Sequence, residues 1–377
     1  VSFSVLATDP NSSARCGRLE LAHGEVLTPI FMPVGTQGTV KTLHPMELDL
    51  LEAQIILGNT YHLWLRPGHE LIRELGGLHS FSTWRKPILT DSGGFQVWSL
   101  AKLRKITEEG VNFQNHLDGS KMLLTPELSM EIQAALGSDI AMLFDECPPY
   151  PCEEAYAAKS LALTTRWASR CKDWVTQNKP QSGDGRQQHF GIVQGSIYAD
   201  LREQSARELV DLGFDGYAIG GVSVGEPEHE MFRAIENSVP FLPLDKPRYA
   251  MGLGTPPQIL EMIARGVDMF DCVMPTRVAR HGMAFTLDGP IQIKNLIHAR
   301  DPGPICESAH PHVAGFSRAY LRHLFRAGEI LGLRLLSFHN LHFYLRLVAG
   351  AREAIHQGNF LAFKDSFIQR YSQSATS

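Results

Sequence analysis

The chain has 377 residues, 44% of them hydrophobic and 20% charged, with 33 Gly and 22 Pro. This is the composition of a globular protein with a sizeable core, and it excludes a small disulfide scaffold, a collagen-like or coiled-coil chain and a disordered one. The net charge of −5 conceals a division: from Thr276 onward there are 12 Lys and Arg against 6 Asp and Glu, a net of +6, which leaves −11 for the first 275 residues.

In chain order, the first residues lack a basic region followed by an apolar one, so no secretory signal is expected. No apolar run approaches the roughly 18 residues of a membrane span. Eight short apolar runs then recur, each closed by Gly or a polar residue: "TPIFMPVG" (28–35), "QIILGNTY" (54–61), "PILTDSGG" (87–94), "DIAMLFDE" (139–146), "HFGIVQGS" (189–196), "GYAIGGVS" (216–223), "RYAMGLG" (248–254) and "MFDCVMP" (269–275). They are too short for helices and do not alternate strictly, as expected of strands buried on both faces of a parallel sheet. Helical patterns such as "PELSMEIQAALGS", "ADLREQSARELVDLG" and "PPQILEMIARGV" separate most of them. Eight such alternations predict an α/β protein with a (β/α)8 barrel over residues 1–275. Insertions are expected after the third and fourth runs, where 178–188 reads as a polar loop. From Thr276 the rhythm changes to a hairpin, a Pro/His-rich loop and two helical patterns, read as an appended or inserted subdomain over 276–377 whose C-terminal helices complete the barrel. The six scattered cysteines show no paired spacing, which suits a reducing compartment, and a cytoplasmic location is expected.

A barrel carries its chemistry at the C-terminal ends of its strands. Here those ends supply Asn59, Asp91, Asp145, Gln194, the Gly220–Gly221 pair, Gly252 and Asp271. Any single Asp there can be a helix cap. Three on different strands point instead to glycosyl chemistry, in which one carboxylate attacks or stabilises an oxocarbenium-like carbon and another manages the leaving group's proton. No His stands at a strand end, which argues against a metal in the barrel. The Gly-rich "GGVSVGE" and "MGLGTP" could instead cradle a phosphate, as in many barrels, but neither matches a P-loop or a Rossmann fingerprint. The basic C-terminal quarter, with eight histidines, reads either as a solvated face or as a phosphate-contacting surface.

Over almost its whole length the chain resembles the tRNA-guanine transglycosylases, through "FMPVGTQGTVK", "ILGNTYHLWLRPG", "ILTDSGGFQVWSL", "GSDIAMLFDECPPYP", "GFDGYAIGG", "DMFDCVMPTR" and "FSRAYLRHLFRAGEILG". The resemblance implies a barrel with a zinc-binding subdomain that exchanges the wobble guanine of tRNA with a GUN anticodon for a 7-deazaguanine, on the route to queuosine. It implies Asp271 as the nucleophile toward the ribose C1′ and Asp91 as the general acid/base. For the base pocket it implies Asp145, Gln194, Gly221, Cys147, Val222 and Met251, with Phe95 stacking on the base or serving as a core aromatic. Arg277 and Arg280 would hold the anticodon loop, although His281 departs from the family's usual Asn beside them. A homodimer is implied, with Phe316, Tyr320 and His323 facing Phe81 of the partner subunit.

Two points of this resemblance divide. Cys147 and Val224 match enzymes that insert preQ1, while Val222 and Ser223 do not follow the usual bacterial pattern, so preQ1 is the expected incoming base and queuine the alternative. The family's Cys-x-Cys-x-x-Cys zinc ligands align with Ser308, His310 and Val313, and only the distant His339 is kept. Cys306, His310, His312 and His339 are then the candidates for a rearranged structural zinc site, against a metal-free subdomain with solvated histidines. A noncatalytic subunit of the same family, a small-molecule N-glycosidase or phosphate-binding barrel enzyme, and a pure RNA-binding module are the competing classes. The presence of both Asp91 and Asp271 argues against the first, and three strand-end carboxylates that repel phosphate argue against the last.

Overall fold

The protein's structure, a computed structural model, describes residues 3–100 and 104–373. All eight apolar runs contain barrel strands: β1 (Ile30–Met32, continuing past Pro33 as Val34–Gly35), β2 (Ile56–Gly58), β3 (Ile88–Thr90), β4 (Ile140–Met142), β5 (Gln188–Val193), β6 (Gly216–Ile219), β7 (Arg248–Ala250) and β8 (Met269–Asp271). Each pairs in parallel with the next, and β8 closes on β1 with Asp271 opposite Met32. The architecture is the expected (β/α)8 barrel.

Side chains alternate along a strand, and here the alternation separates two apolar clusters. Ile30, Met32, Leu57, Leu89, Ile140, Met142, Phe190, Ile192, Ala218, Tyr249 and Met269 fill one cluster, the barrel interior. Phe31, Ile56, Ile88, Ala141, Tyr217, Ile219, Ala250 and Phe270 belong to the other, beneath the surrounding helices. Counting on by two from the interior residues reaches Asn59, Asp91, Gln194 and Asp271. The pleat that buries Leu57, Leu89, Ile192 and Met269 therefore aims these polar groups at the barrel axis, one step beyond the apolar plug.

An antiparallel meander (Phe3–Thr8, Arg15–Leu21, Gly24–Thr28) precedes the barrel and contributes Leu19 and Val26 to its interior cluster. The insertion after β3 is a three-stranded antiparallel sheet followed by the helix Pro126–Leu136. After β4 comes the 25-residue helix Glu154–Asn178. The stretch expected to be a polar loop contains a hairpin instead, Gln181–Ser182 against Gly185–Arg186, turned by Gly183 at φ +52°. Its strands are two residues each, too short to leave an alternating pattern.

The later part of the chain is tied to the barrel rather than hanging from it. The helix Ile330–His356 packs on the helix Met274–Ala279, on β1 and on the hairpin Met283–Thr286/Gly289–Gln292. Buried Asn340 donates to the Pro275 and Met283 carbonyls and accepts from the Phe285 N–H. The Tyr344 hydroxyl donates to the Gly254 carbonyl at 2.9 Å, just beyond β7. Among the described residues no helix is long and apolar enough to cross a membrane.

Candidate active site

Asp271 ends β8 with its carboxyl almost wholly buried. One oxygen, Oδ1, accepts from the Tyr249 hydroxyl at 2.6 Å and from the Gly252 N–H at 2.7 Å. Among the described residues no donor lies on Oδ2, so one oxygen is anchored and the other is left to react. Burial raises this carboxyl's pKa above the usual range, and the two donors oppose that rise.

Asp91, one residue past β3, accepts from Thr60 N–H at 2.9 Å and Gly93 N–H at 3.2 Å on Oδ1, and from the Asn59 amide on Oδ2. Burial pushes its pKa up to about 7, and the nearby Asp271 charge adds to the rise. A carboxyl poised near neutrality can both give and take a proton at working pH. Asp145 accepts from Ser92 Oγ at 3.0 Å and from the Gln194 amide at 2.7 Å, and burial pushes it up to about 6. The other end of Gln194, its Oε1, is buried with no hydrogen-bond partner.

Gly220 and Gly221 wall the pocket beside Gln194. A Cβ on Gly220 would stand 2.8 Å from Gln194 Nε2, and one on Gly221 2.6 Å from Gln194 Oε1; Gly221 also holds φ at +63°. The Gly221 N–H faces the Cys147 thiol, which burial pushes up to about 12. Val222 is buried, Met251 packs against the barrel interior, and Phe95 stands 43% exposed at the start of the helix Gly94–Leu100. Both oxygens of Glu226 accept backbone N–H groups of the intervening loop, from Ser223 and from Val224. Arg277 is exposed on the short helix after β8, and Arg280 caps that helix with its guanidinium on the Thr276 carbonyl at 2.9 Å.

The structure thus gathers Asp91, Asp145, Gln194, Gly221 and Asp271 at one end of one barrel. It adds three groups that the sequence did not single out: Tyr249 on Asp271, Ser92 on Asp145, and Arg202 behind the two glycines. Tyr249 was within reach of a parity argument, since it shares the interior face of β7. Ser92 and Arg202 carry no such signal.

The candidate zinc ligands are not gathered. His339 is buried, with Nε2 2.7 Å from the Phe285 carbonyl oxygen and Nδ1 without a partner, a free donor atom of the kind a metal would use. The other candidates do not meet it. Cys306 Sγ lies 3.5 Å from Ser308 Oγ, His310 Nδ1 accepts from the His312 N–H at 3.1 Å, and His312 Nε2 is 3.6 Å from Glu47 Oε1. Val313, at one aligned cysteine position, is fully buried and cannot ligate. Among the described residues, ligand atoms of three or more His, Cys, Asp or Glu lie within 4.8 Å of one another only in His23–His79–Asp139 and His69–Glu70–Glu131. The subdomain's donors therefore do not fit a four-coordinate zinc, and no step below depends on a metal.

Comparison with known proteins agrees with the geometry. A family model described as queuine tRNA-ribosyltransferase matches residues 9–373. Proteins of that name from Natranaerobius thermophilus and Pelotomaculum thermopropionicum are 54% and 53% identical over 372 residues, covering 98% of this chain and 99% of each relative. One from Bacillus velezensis is 54% identical, covering 98% of this chain and 96% of its own.

Proposed function

The chain belongs to the queuine tRNA-ribosyltransferase family, and on that premise we propose that it exchanges the wobble guanine of tRNA for a 7-deazaguanine by double displacement at Asp271. It is a pentosyltransferase of queuosine biosynthesis. The observation that carries the mechanism is the pairing of two buried carboxyls with different surroundings: Asp271 with one oxygen anchored, and Asp91 raised to about 7 close enough to feel its charge.

In the first half-reaction Asp271 Oδ2 forms a bond to the ribose C1′ as the bond from C1′ to guanine N9 breaks. The bonding pair leaves on the base, and the Asp91 carboxyl donates its proton there, so that neutral guanine departs. In the second, the Asp91 carboxylate removes the N9 proton of the incoming base. That nitrogen then attacks C1′, and the Asp271 ester breaks to restore the carboxylate. Two inversions retain configuration. Asp145 accepts from the N1–H and exocyclic amine of the guanine-like edge, while Gln194 and the Gly221 N–H donate to O6 once Gln194 swings its amide from Asp145. An anticodon loop presents its base unstacked more cheaply than a duplex does. Arg277 and Arg280 contact its phosphates.

PreQ1 is the proposed incoming base, because Val224 crowds the wall where queuine's larger substituent would lie. A homodimer is proposed on the aromatic surface at the start of the helix Arg318–Ala327, where half-buried Phe316, two residues before the helix, stacks on exposed Tyr320 at 5.7 Å and Phe81 is also exposed. Light scattering that reports a monomer at micromolar concentration with full activity would contradict it. The reading as a whole is tested by incorporation of radiolabelled guanine into tRNA. Label enters tRNA with a GUN anticodon and not the same tRNA lacking the wobble guanine; equal labelling of both would overturn it.

A further inference from the structure

Arg202 lies on the amphipathic helix Ala199–Leu212, a place where arginines ordinarily face water, yet it is completely buried. A buried guanidinium is costly unless its donors are satisfied and its charge is met. Each of its three nitrogens finds a backbone carbonyl, four of the five N–H donors in all: Nε on Ser196 at 2.7 Å, Nη1 on Gly220 at 2.7 Å and on Val193 at 3.2 Å, Nη2 on Gly221 at 3.3 Å. Its charge is met only at a distance: among the described residues no carboxylate comes within ion-pair reach of Arg202, and the Glu226 carboxylate acts on it from farther off, too weakly to offset the desolvation that lowers its pKa.

Its shortest contact to the glycine pair falls on one particular peptide. The Gly220 carbonyl and the Gly221 N–H belong to the same peptide unit, so a cation on the oxygen polarises the group toward a stronger donor at the nitrogen. The Gly221 N–H faces the pocket at Cys147. Resting on the base-exchange reading above, we propose that Arg202 is a positioning residue that acts through the Gly220–Gly221 peptide to stabilise negative charge gathering on the base's O6 as the bond to C1′ breaks. The chain of donors runs from the guanidinium to the Gly220 carbonyl, across the peptide to the Gly221 N–H, and on to O6. A buried positive charge with no close ion-pair partner is thereby held next to the site where a transient negative charge appears, fixed in advance and shielded from water. The conformation is specific to glycine: a Cβ on Gly221 would meet Gln194 at 2.6 Å and the Arg202 guanidinium at 3.4 Å.

The test compares guanine with 6-thioguanine, which keeps N1–H and the exocyclic amine but presents a weaker acceptor at position 6. Competition constants of both bases are measured in the tRNA exchange assay for the wild-type protein, Arg202→Met and the charge-conserving Arg202→Lys. The wild type discriminates in favour of guanine, Arg202→Met shrinks that ratio at least threefold, and Arg202→Lys keeps it within twofold. Arg202→Gln, neutral but still able to donate to a carbonyl, gives the same reading if the methionine variant fails to fold. A ratio unchanged in the neutral variants while both bases weaken together, or a wild type that binds the two alike, overturns the proposal. A wild-type protein that exchanges no guanine at all would instead remove the reading beneath it.

Discussion

Replacing Gly221 with alanine perturbs the base pocket at a position where the structure fixes each contribution. Gly221 sits at φ +63°, where an L side chain costs about 1–2 kcal/mol. The new methyl would stand 2.6 Å from Gln194 Oε1, so the amide must retreat from its 2.7 Å hydrogen bond to Asp145. Losing a hydrogen bond to a charged group costs about 1.5–3 kcal/mol. The total is about 3–5 kcal/mol, and with an unfolding entropy near 0.8 kcal/mol/K for a chain of this length, Tm falls by about 4–6 °C. Gly328→Ala isolates the backbone contribution, because Gly328, the C-cap of the helix Arg318–Ala327, has φ +76° and open space around its Cβ. It should lower Tm by only about 1–3 °C with exchange kinetics unchanged. In steady-state exchange, Gly221→Ala should raise KM for the incoming base at least about tenfold, equivalent to 1.4 kcal/mol, while tRNA binding by filter retention stays constant. A Gly221→Ala protein that melts like Gly328→Ala and keeps its base KM would refute the reasoning.

Three further outcomes follow from the same geometry. Asp91, raised to about 7, holds a proton that the unfolded chain releases near the ordinary carboxyl value, so the native state binds more protons between about pH 4 and pH 7 and this residue's contribution to stability falls as pH rises through that window. Thermal melting against pH should show a shallower fall for Asp91→Asn, and an unchanged slope would contradict the assignment. Elemental analysis of protein purified without added metal should find far less than one zinc per chain, with melting unchanged by a chelator; stoichiometric zinc that is lost in Cys306→Ala would show that the loop rearranges to bind it. Val224→Gly should shift competition toward queuine over preQ1, and a wild type that already incorporates queuine more efficiently would overturn the choice of base.

Most of the barrel is legible in the sequence because parallel strands buried on both faces leave short apolar runs, and because each run ends where its side chains leave the packed interior. That is why Asp91, Asp145, Gln194 and Asp271 stand out from the residue pattern alone. The hairpin at 181–186 is not legible, since four paired residues impose no periodicity. Arg202 is hidden for a different reason: in "ADLREQSARELVDLG" it reads as one more polar residue of a solvated face. Only the long-range approach of that helix to the ends of β5 and β6 buries it. The zinc ligands mislead in the opposite direction, for Cys306, His310 and His312 are close in sequence. Yet their side chains are taken up by Ser308, by a helix cap and by Glu47, while buried Val313 occupies an aligned cysteine position.

The central claim is that Asp271 carries the ribosyl group between two bases. Its direct measurement is the denaturant-resistant adduct formed between the protein and tRNA in the absence of an incoming base, followed by peptide mapping. The account predicts a wild-type adduct whose modified peptide contains Asp271, and none with Asp271→Ala although that variant still binds tRNA. Asp91→Ala should bind tRNA and fail to turn over. A covalent adduct of undiminished yield in Asp271→Ala, or one mapped to another residue, would contradict the account.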